Sequence, residues 1–130
     1  MFFYNYYKEE RSVHLKTEFP PSVNTYWRKG PSGMYLSENA KQYKGHILDL
    51  VSRLKEPIYP NEPLFIYMGL HPPDKRKRDL DNYAGKAVLD ALAGTNMFSD
   101  DAQFHKIHSE WKKDIDIKEG YAEIFIELLR

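Results

Sequence analysis

The chain predicts an α+β fold in a single domain, a mixed β-sheet with two helices packed on it, in the order β-α-β-α-β-β. Three observations lead there. Several short segments alternate apolar with polar residues, the two-residue period of a half-buried strand, while two longer segments repeat apolar residues every three or four positions, as one face of a helix does. Pro20, Pro21, Pro57, Pro60 and Gly94 fall at the ends of these segments. At 130 residues the chain suits one domain, large enough to bury about two-thirds of its unfolded surface.

Residues 1–10 hold five aromatics, Phe2, Phe3, Tyr4, Tyr6 and Tyr7, ahead of Lys8-Glu9-Glu10. This extension to a domain of residues 11–130 is compatible with an extra edge strand, a dimer contact or a disordered tail. From Ser12 to Phe19, Val13, Leu15, Thr17 and Phe19 alternate with His14, Lys16 and Glu18, which predicts a strand ended by Pro20-Pro21. Ser22 to Leu36 is rich in Gly, Pro, Ser and Asn and reads as a long loop carrying Tyr26, Trp27, Arg28, Lys29 and Tyr35. Ser37 can cap a helix from Glu38 to Lys55 with Tyr43, Ile47, Val51 and Leu54 inward, terminated by Pro57 and Pro60. Leu64 to His71 is apolar on both faces, as a central strand should be. A second helix fits Asn82 to Ala93, with Ala84, Val88, Ala91 and Leu92 inward and Gly94 ending it. Two strands, Phe104 to Trp111 and Tyr121 to Leu129, flank a turn-prone stretch from Asp114 to Gly120.

Composition removes several function classes. The chain has no cysteine, so disulfides, thiolate zinc sites and a cysteine nucleophile are excluded, and any metal must rest on oxygen or imidazole. No stretch approaches the roughly 20 apolar residues of a membrane span, and the N-terminus lacks a signal-peptide pattern, so the expectation is a soluble, cytoplasmic protein. Lysine plus arginine equals aspartate plus glutamate, 19 each, so a polyanion partner has to be argued from local clustering. Walker, dinucleotide-binding and serine-elbow motifs are missing, which leaves no sign of a small-molecule cofactor, and the histidines form no HExxH pattern.

The clustering is local and strong. Lys75, Arg76, Lys77 and Arg78 run directly into Asp79-Leu80-Asp81-Asn82, and Asp100-Asp101 follows about one helix later. Cations neutralise phosphates, and carboxylate oxygens are the ligands that Mg²⁺ prefers, so the juxtaposition points to metal-assisted phosphodiester chemistry. If the chain is extended there, Asp79 and Asp81 point to one side. About 5 Å apart at an effective dielectric of 20, they repel by roughly 3 kcal/mol, a cost that a cation reverses. At the start of the second helix, Asp81 would also be favoured in its ionised form. The alternative is that one of the two only caps that helix. Of Asp100 and Asp101, one acid can join the cluster while its neighbour caps a turn. Asp114 and Asp116 are assigned to solvated turn structure. Lys86 is placed either to stabilise charge on a reacting phosphate or as an ordinary surface lysine.

These residues resemble the RusA family of Holliday junction resolvases. The likeness rests on Pro73 to Asn82, Lys86 to Leu92 and Asp100 to Gln103, with the Pro20 to Arg28 loop and the Ser37 to Tyr43 helix start, and covers nearly all of Val13 to Leu128. It implies a small homodimeric endonuclease, often phage- or prophage-encoded, that uses Mg²⁺ to nick four-way DNA junctions in symmetric pairs, and Mn²⁺ is the other metal to test. Asp79, Asp81 and Asp101 would then be catalytic acids and metal ligands, with Asp100 beside them, and Lys86 the active-site lysine. Lys75, Arg76, Lys77, Arg78, Arg28, Lys29, Asn24, Tyr26 and Trp27 would contact DNA. One departure stands out: three residues, Tyr83, Ala84 and Gly85, separate Asn82 from Lys86 where the family usually has two. An insertion inside a helix rotates the residues downstream of it by about 100°. Gly85 can absorb it in a distorted backbone ahead of the first turn. A non-catalytic junction-binding module and a nuclease for flaps or other branched DNA are the other readings of the same residues.

Overall fold

The computed structural model describes residues 1–83, 85–113 and 119–130. Its elements are β1 (Phe3–Tyr7), β2 (Ser12–Glu18), β3 (Trp27–Gly30), β4 (Gly33–Leu36), α1 (Glu38–Val51), β5 (Leu64–His71), α2 (Lys86–Ala93), β6 (Phe104–Trp111) and β7 (Tyr121–Leu128), with short 3-10 turns at Val23–Thr25, Leu80–Asn82 and Asp101–Gln103. Five strands form one sheet in the order β1-β2-β7-β5-β6, and β3 and β4 form a separate hairpin. Every neighbouring pair in the large sheet is antiparallel except β5 and β6, which run parallel and are joined through α2. The fold is therefore α+β with a mixed sheet and two helices, as the periodicities require.

Burial follows the strand alternation. Val13 and Leu15 of β2, Leu64, Ile66 and Met68 of β5, and Ile124 and Ile126 of β7 are inaccessible to solvent. They form one core with Tyr43, Ile47 and Val51 of α1 and Val88, Ala91 and Leu92 of α2, so both helices lie on the same face. The opposite face carries a row of rings across all five strands. His14 stacks on Phe125 at 4.0 Å and meets Phe3 edge-on at 4.9 Å, while Tyr67 lies 5.9 Å from Phe125 and stacks on His108 at 5.4 Å. No helix among the described residues is long and apolar enough to cross a membrane.

Four expectations change. The aromatic N-terminus, left open between three states, forms edge strand β1, paired with β2 from Phe3 opposite Lys16 to Tyr7 opposite Ser12. The segment expected to be a long loop contains the β3–β4 hairpin, closed by Pro31-Ser32 with Gly33 at φ 111°. Helix α1 starts where Ser37 caps it, its hydroxyl oxygen accepting from the Ala40 N–H at 3.2 Å, but ends at Val51 rather than Lys55. Ser52 takes φ 64°, and the Leu54 N–H then donates to the Thr95 carbonyl at 2.9 Å, so a tertiary contact stops the helix before either proline. The second helix begins at Lys86 rather than Asn82, after the Leu80–Asn82 turn and Gly85 at φ 114°. The extra residue is thus absorbed ahead of the helix. Asp81 lies in that turn and not at the head of α2. Ala84 and the Asp114 and Asp116 pair fall outside the described residues.

Gly85 has no neighbour within 4 Å of where a Cβ would stand, so a side chain there meets open space and only the backbone opposes it. Gly85→Ala should therefore destabilise the protein by about 1–3 kcal/mol through φ alone, read as a lower urea midpoint with an unchanged slope.

Candidate functional site

The end of β2, the start of α1 and the loop after β5 border a cleft of about 330 Å³ whose lining includes Phe19, Pro20, Asn39, Arg76, Arg78 and Tyr83. Phe19 follows β2, which runs alongside β7 and so ends beside His71 and Tyr121. Its ring stacks with Trp111 at 6.3 Å and meets Tyr83 at 5.2 Å, and Tyr83 in turn lies 5.8 Å from Trp111. This aromatic floor fixes the turn that carries the first acids.

Above it, the four consecutive cations do not behave alike. The Arg78 side chain is only 8% exposed; its Nη1 pairs with Asp74 at 2.9 Å and its guanidinium lies 5.7 Å over the Phe19 ring. Arg76 also pairs with Asp74, Nε to Oδ2 at 3.2 Å, but is 78% exposed. Hydrogen bonding from Arg78 and then from the Arg76 backbone holds the Asp74 carboxyl well below the usual carboxylate range. Arg78 therefore shapes the loop, while Lys75, Arg76 and Lys77 present their charge to solvent.

Asp79 and Asp81 are exposed, and neither carboxylate makes a hydrogen bond or ion pair among the described residues. They are not helix caps. Asp100 is one: it accepts from the Ala102 N–H at 2.8 Å while Gln103 Oε1 accepts from the Asp100 N–H at 2.9 Å. Asp101 is exposed with its carboxylate likewise unengaged among the described residues. Within one chain it does not join Asp79 and Asp81. Their turn sits at the C-terminal end of β6, where Tyr83 touches Trp111, whereas Asp101 precedes Phe104 at the N-terminal end. Seven strand steps separate those ends, roughly 23 Å at about 3.3 Å per residue. Among the described residues no group of three or more His, Asp or Glu is placed to hold a metal ion, so the acids of a single chain do not fit a three-ligand site.

Lys86 opens α2, 55% exposed, and pairs with Asp90 at 3.6 Å. Asp90 also accepts from the Tyr26 hydroxyl at 2.7 Å, and burial followed by that bond raises the Tyr26 phenol above its usual range. Tyr26 is 1% exposed and packs with Ala40 and Ala87, so it anchors the hairpin and cannot stack on a base. Trp27 and Tyr35, 45% and 50% exposed, can, with Arg28 and Lys29 exposed on the same hairpin and Asn24 exposed ahead of it. The Tyr26–Asp90–Lys86 link was not anticipated, because Tyr26 lies 64 residues from Asp90 in sequence and all three are individually ordinary.

Residues 18–128 match the family model for endodeoxyribonuclease RusA. That span contains the cleft, the basic loop, the Asp79–Asp81 turn and Asp101. The chain belongs to the RusA family. A RusA relative from Enterobacteria phage HK97, a crossover junction endodeoxyribonuclease, is 38% identical over 68% of this chain and 73% of its own length. The same-named proteins of Enterobacteria phage 82 and Escherichia coli K12 are 33% and 34% identical over 71% and 65% of this chain, and over 76% and 70% of their own lengths. The RusA match leaves β1 and most of β2 outside it.

The two arginines on Asp74 should separate in a thermal melt. Arg78→Gln should lower the midpoint by about 5 °C, because it removes the guanidinium packed on Phe19, whereas Arg76→Gln should leave it within error.

Proposed function

We propose that this chain is a structure-selective endodeoxyribonuclease that resolves four-way DNA junctions by paired, Mg²⁺-dependent nicks, in the service of DNA recombination and repair. The observation that supports this best is a pair of facts about the same three residues. The RusA match runs through Asp79, Asp81 and Asp101, and all three carboxylates are exposed and free of any structural partner among the described residues. A carboxylate kept for stability would be capping or paired, as Asp74, Asp90 and Asp100 are.

The chain's own contribution to binding is electrostatic and aromatic. Lys75, Arg76 and Lys77 beside the cleft, and Arg28 and Lys29 on the hairpin, are exposed and can meet phosphates, while Trp27 and Tyr35 offer faces to unpaired bases near a branch point. Asp74 offsets part of this charge and Arg78 is withdrawn into the loop. Four phosphate contacts from the remaining five cations would give a slope of log affinity on log salt of about −3.6, so doubling the salt should weaken junction binding about twelve-fold. An affinity indifferent to salt would remove the basic loop from the interface.

The deciding experiment is cleavage of a synthetic four-way junction against duplex and flap controls, with Mg²⁺, Mn²⁺ or EDTA, for the wild type and Asp81→Asn. Symmetric nicks that require the metal and disappear in the variant are the expected result. Preferential cutting of flaps would reassign the substrate, and tight junction binding without nicks under either metal would reduce the protein to a binding module.

A further inference from the structure

Asp90 divides its two carboxylate oxygens between two elements. Oδ2 accepts from the Tyr26 hydroxyl at 2.7 Å, and Oδ1 lies 3.6 Å from the Lys86 ammonium one turn earlier on α2. Neither contact is the one that stability alone would select. A buried phenol needs one acceptor, and the amide oxygen of an asparagine would supply it without leaving a charge on a largely buried side chain. Nor does the ion pair suit the helix. Lys86 stands at the first position of α2, where the macrodipole disfavours a cation, and a lysine four residues ahead of an acid is the weaker of the two orders. A carboxylate at this position is required only where both oxygens are used at once.

Tyr26 fixes Lys86 in two ways. Ala87 is buried and packs with Tyr26, so the backbone that carries Lys86 is seated on the tyrosine. Burial first, and the Asp90 bond second, raise the Tyr26 phenol, so the hydroxyl keeps its proton and goes on donating. With Oδ2 held in this way the Asp90 carboxylate does not rotate, and Oδ1 stays turned to Lys86. A flexible four-carbon stem otherwise spreads its ammonium over many rotamers.

We propose that Asp90 and Tyr26 are positioning residues for Lys86, holding its ammonium ready for an oxygen of the scissile phosphate. This rests on the nuclease reading above, in which Lys86 meets the reacting phosphate. The Lys86 side chain is 55% exposed, and an ammonium with one side turned to Asp90 still has donors left for phosphate oxygens. Because Tyr26 also roots the β3–β4 hairpin, the lysine is aligned to the element that carries Arg28, Lys29 and Trp27 as well as to its own helix.

Turnover and binding separate this role from a structural one. Altering a residue that only anchors the hairpin would weaken junction binding, whereas altering a positioning residue slows the nicking of a junction already bound. Asp90→Asn keeps an acceptor for Tyr26 and removes the charge that faces Lys86, and Tyr26→Phe keeps the ring and removes only the hydroxyl. With Mg²⁺ and the four-way junction fully bound, each variant should nick about ten-fold more slowly, on the order of what a misplaced group loses, with the junction Kd within about two-fold of wild type. Lys86→Ala should be at least as slow as either. Adding Asp90→Asn to it should slow it no further, because the group that Asp90 positions is gone. Single variants that nick at the wild-type rate, losses confined to Kd, or a double variant slower than Lys86→Ala alone overturn the inference and leave the nuclease reading standing. A wild type that cuts no junction with Mg²⁺ or Mn²⁺ defeats the nuclease reading itself, and this inference with it.

Discussion

The parallel pairing of β5 with β6 is the constraint on which the rest of this molecule depends. An antiparallel pair can be closed by a tight turn that keeps the residues on either side of it together, but a parallel pair requires the chain to return the length of the sheet before the second strand starts. Here the return holds the basic loop, the Asp79–Asp81 turn, Gly85, α2 and the buried Thr95, Met97 and Phe98. The acids that open and close this crossover are therefore delivered to opposite ends of the ladder. Side-chain rotation spans a few ångströms, so the separation is topological and no local adjustment within one chain removes it. A chemistry that needs all three carboxylates has to recruit one from elsewhere.

The same crossover explains why the exposed cations can be held in place without being neutralised. Beneath them lie the Phe19, Tyr83 and Trp111 rings and the Arg78–Asp74 pair. On the far side of α2, the buried Tyr26 hydroxyl on Asp90 fixes the base of the β3–β4 hairpin, and the Ser37 N–H donates to the Tyr26 carbonyl at 2.9 Å where β4 passes into α1. Fixed supports below and free charges above lower the entropy lost when a ligand is bound, because the supporting backbone has already been ordered in folding. Arg78 and Tyr26 belong to the supports, and Lys75, Lys77, Arg28 and Trp27 to the surface they carry.

That division marks what the amino-acid order could and could not reveal. Strands β5 and β6 stand at the bounds their patterns indicate, since one runs through the core and the other starts after a turn capped by Asp100. The hairpin stayed hidden because it stands off the core: Trp27, Arg28, Lys29, Met34 and Tyr35 are all exposed, so no burial rhythm marks it as strand. The end of α1 is set by a hydrogen bond between Leu54 and Thr95, which no local window contains. Among the site residues, the types were legible and the partners were not. Four cations in a row look equivalent until the fold lays Phe19 under one of them. Asp79, Asp81 and Asp101 look like one cluster until the direction of β6 is known.

Electrostatics gives this arrangement a consequence for selectivity on the proposed reading. Cations and anions balance at 19 each, so the molecule has no strong net field to draw it to polyanions from a distance. Attraction has to come from the loop and the hairpin, and at physiological salt each cation acts over only about 8 Å. Such a surface gains little from a single duplex, whose phosphates recede from it as the helix turns. It gains more where several strands converge and phosphates approach the loop and the hairpin together. Neutrality overall, with charge concentrated at two supported loops, therefore favours branched substrates over linear ones before any base is read.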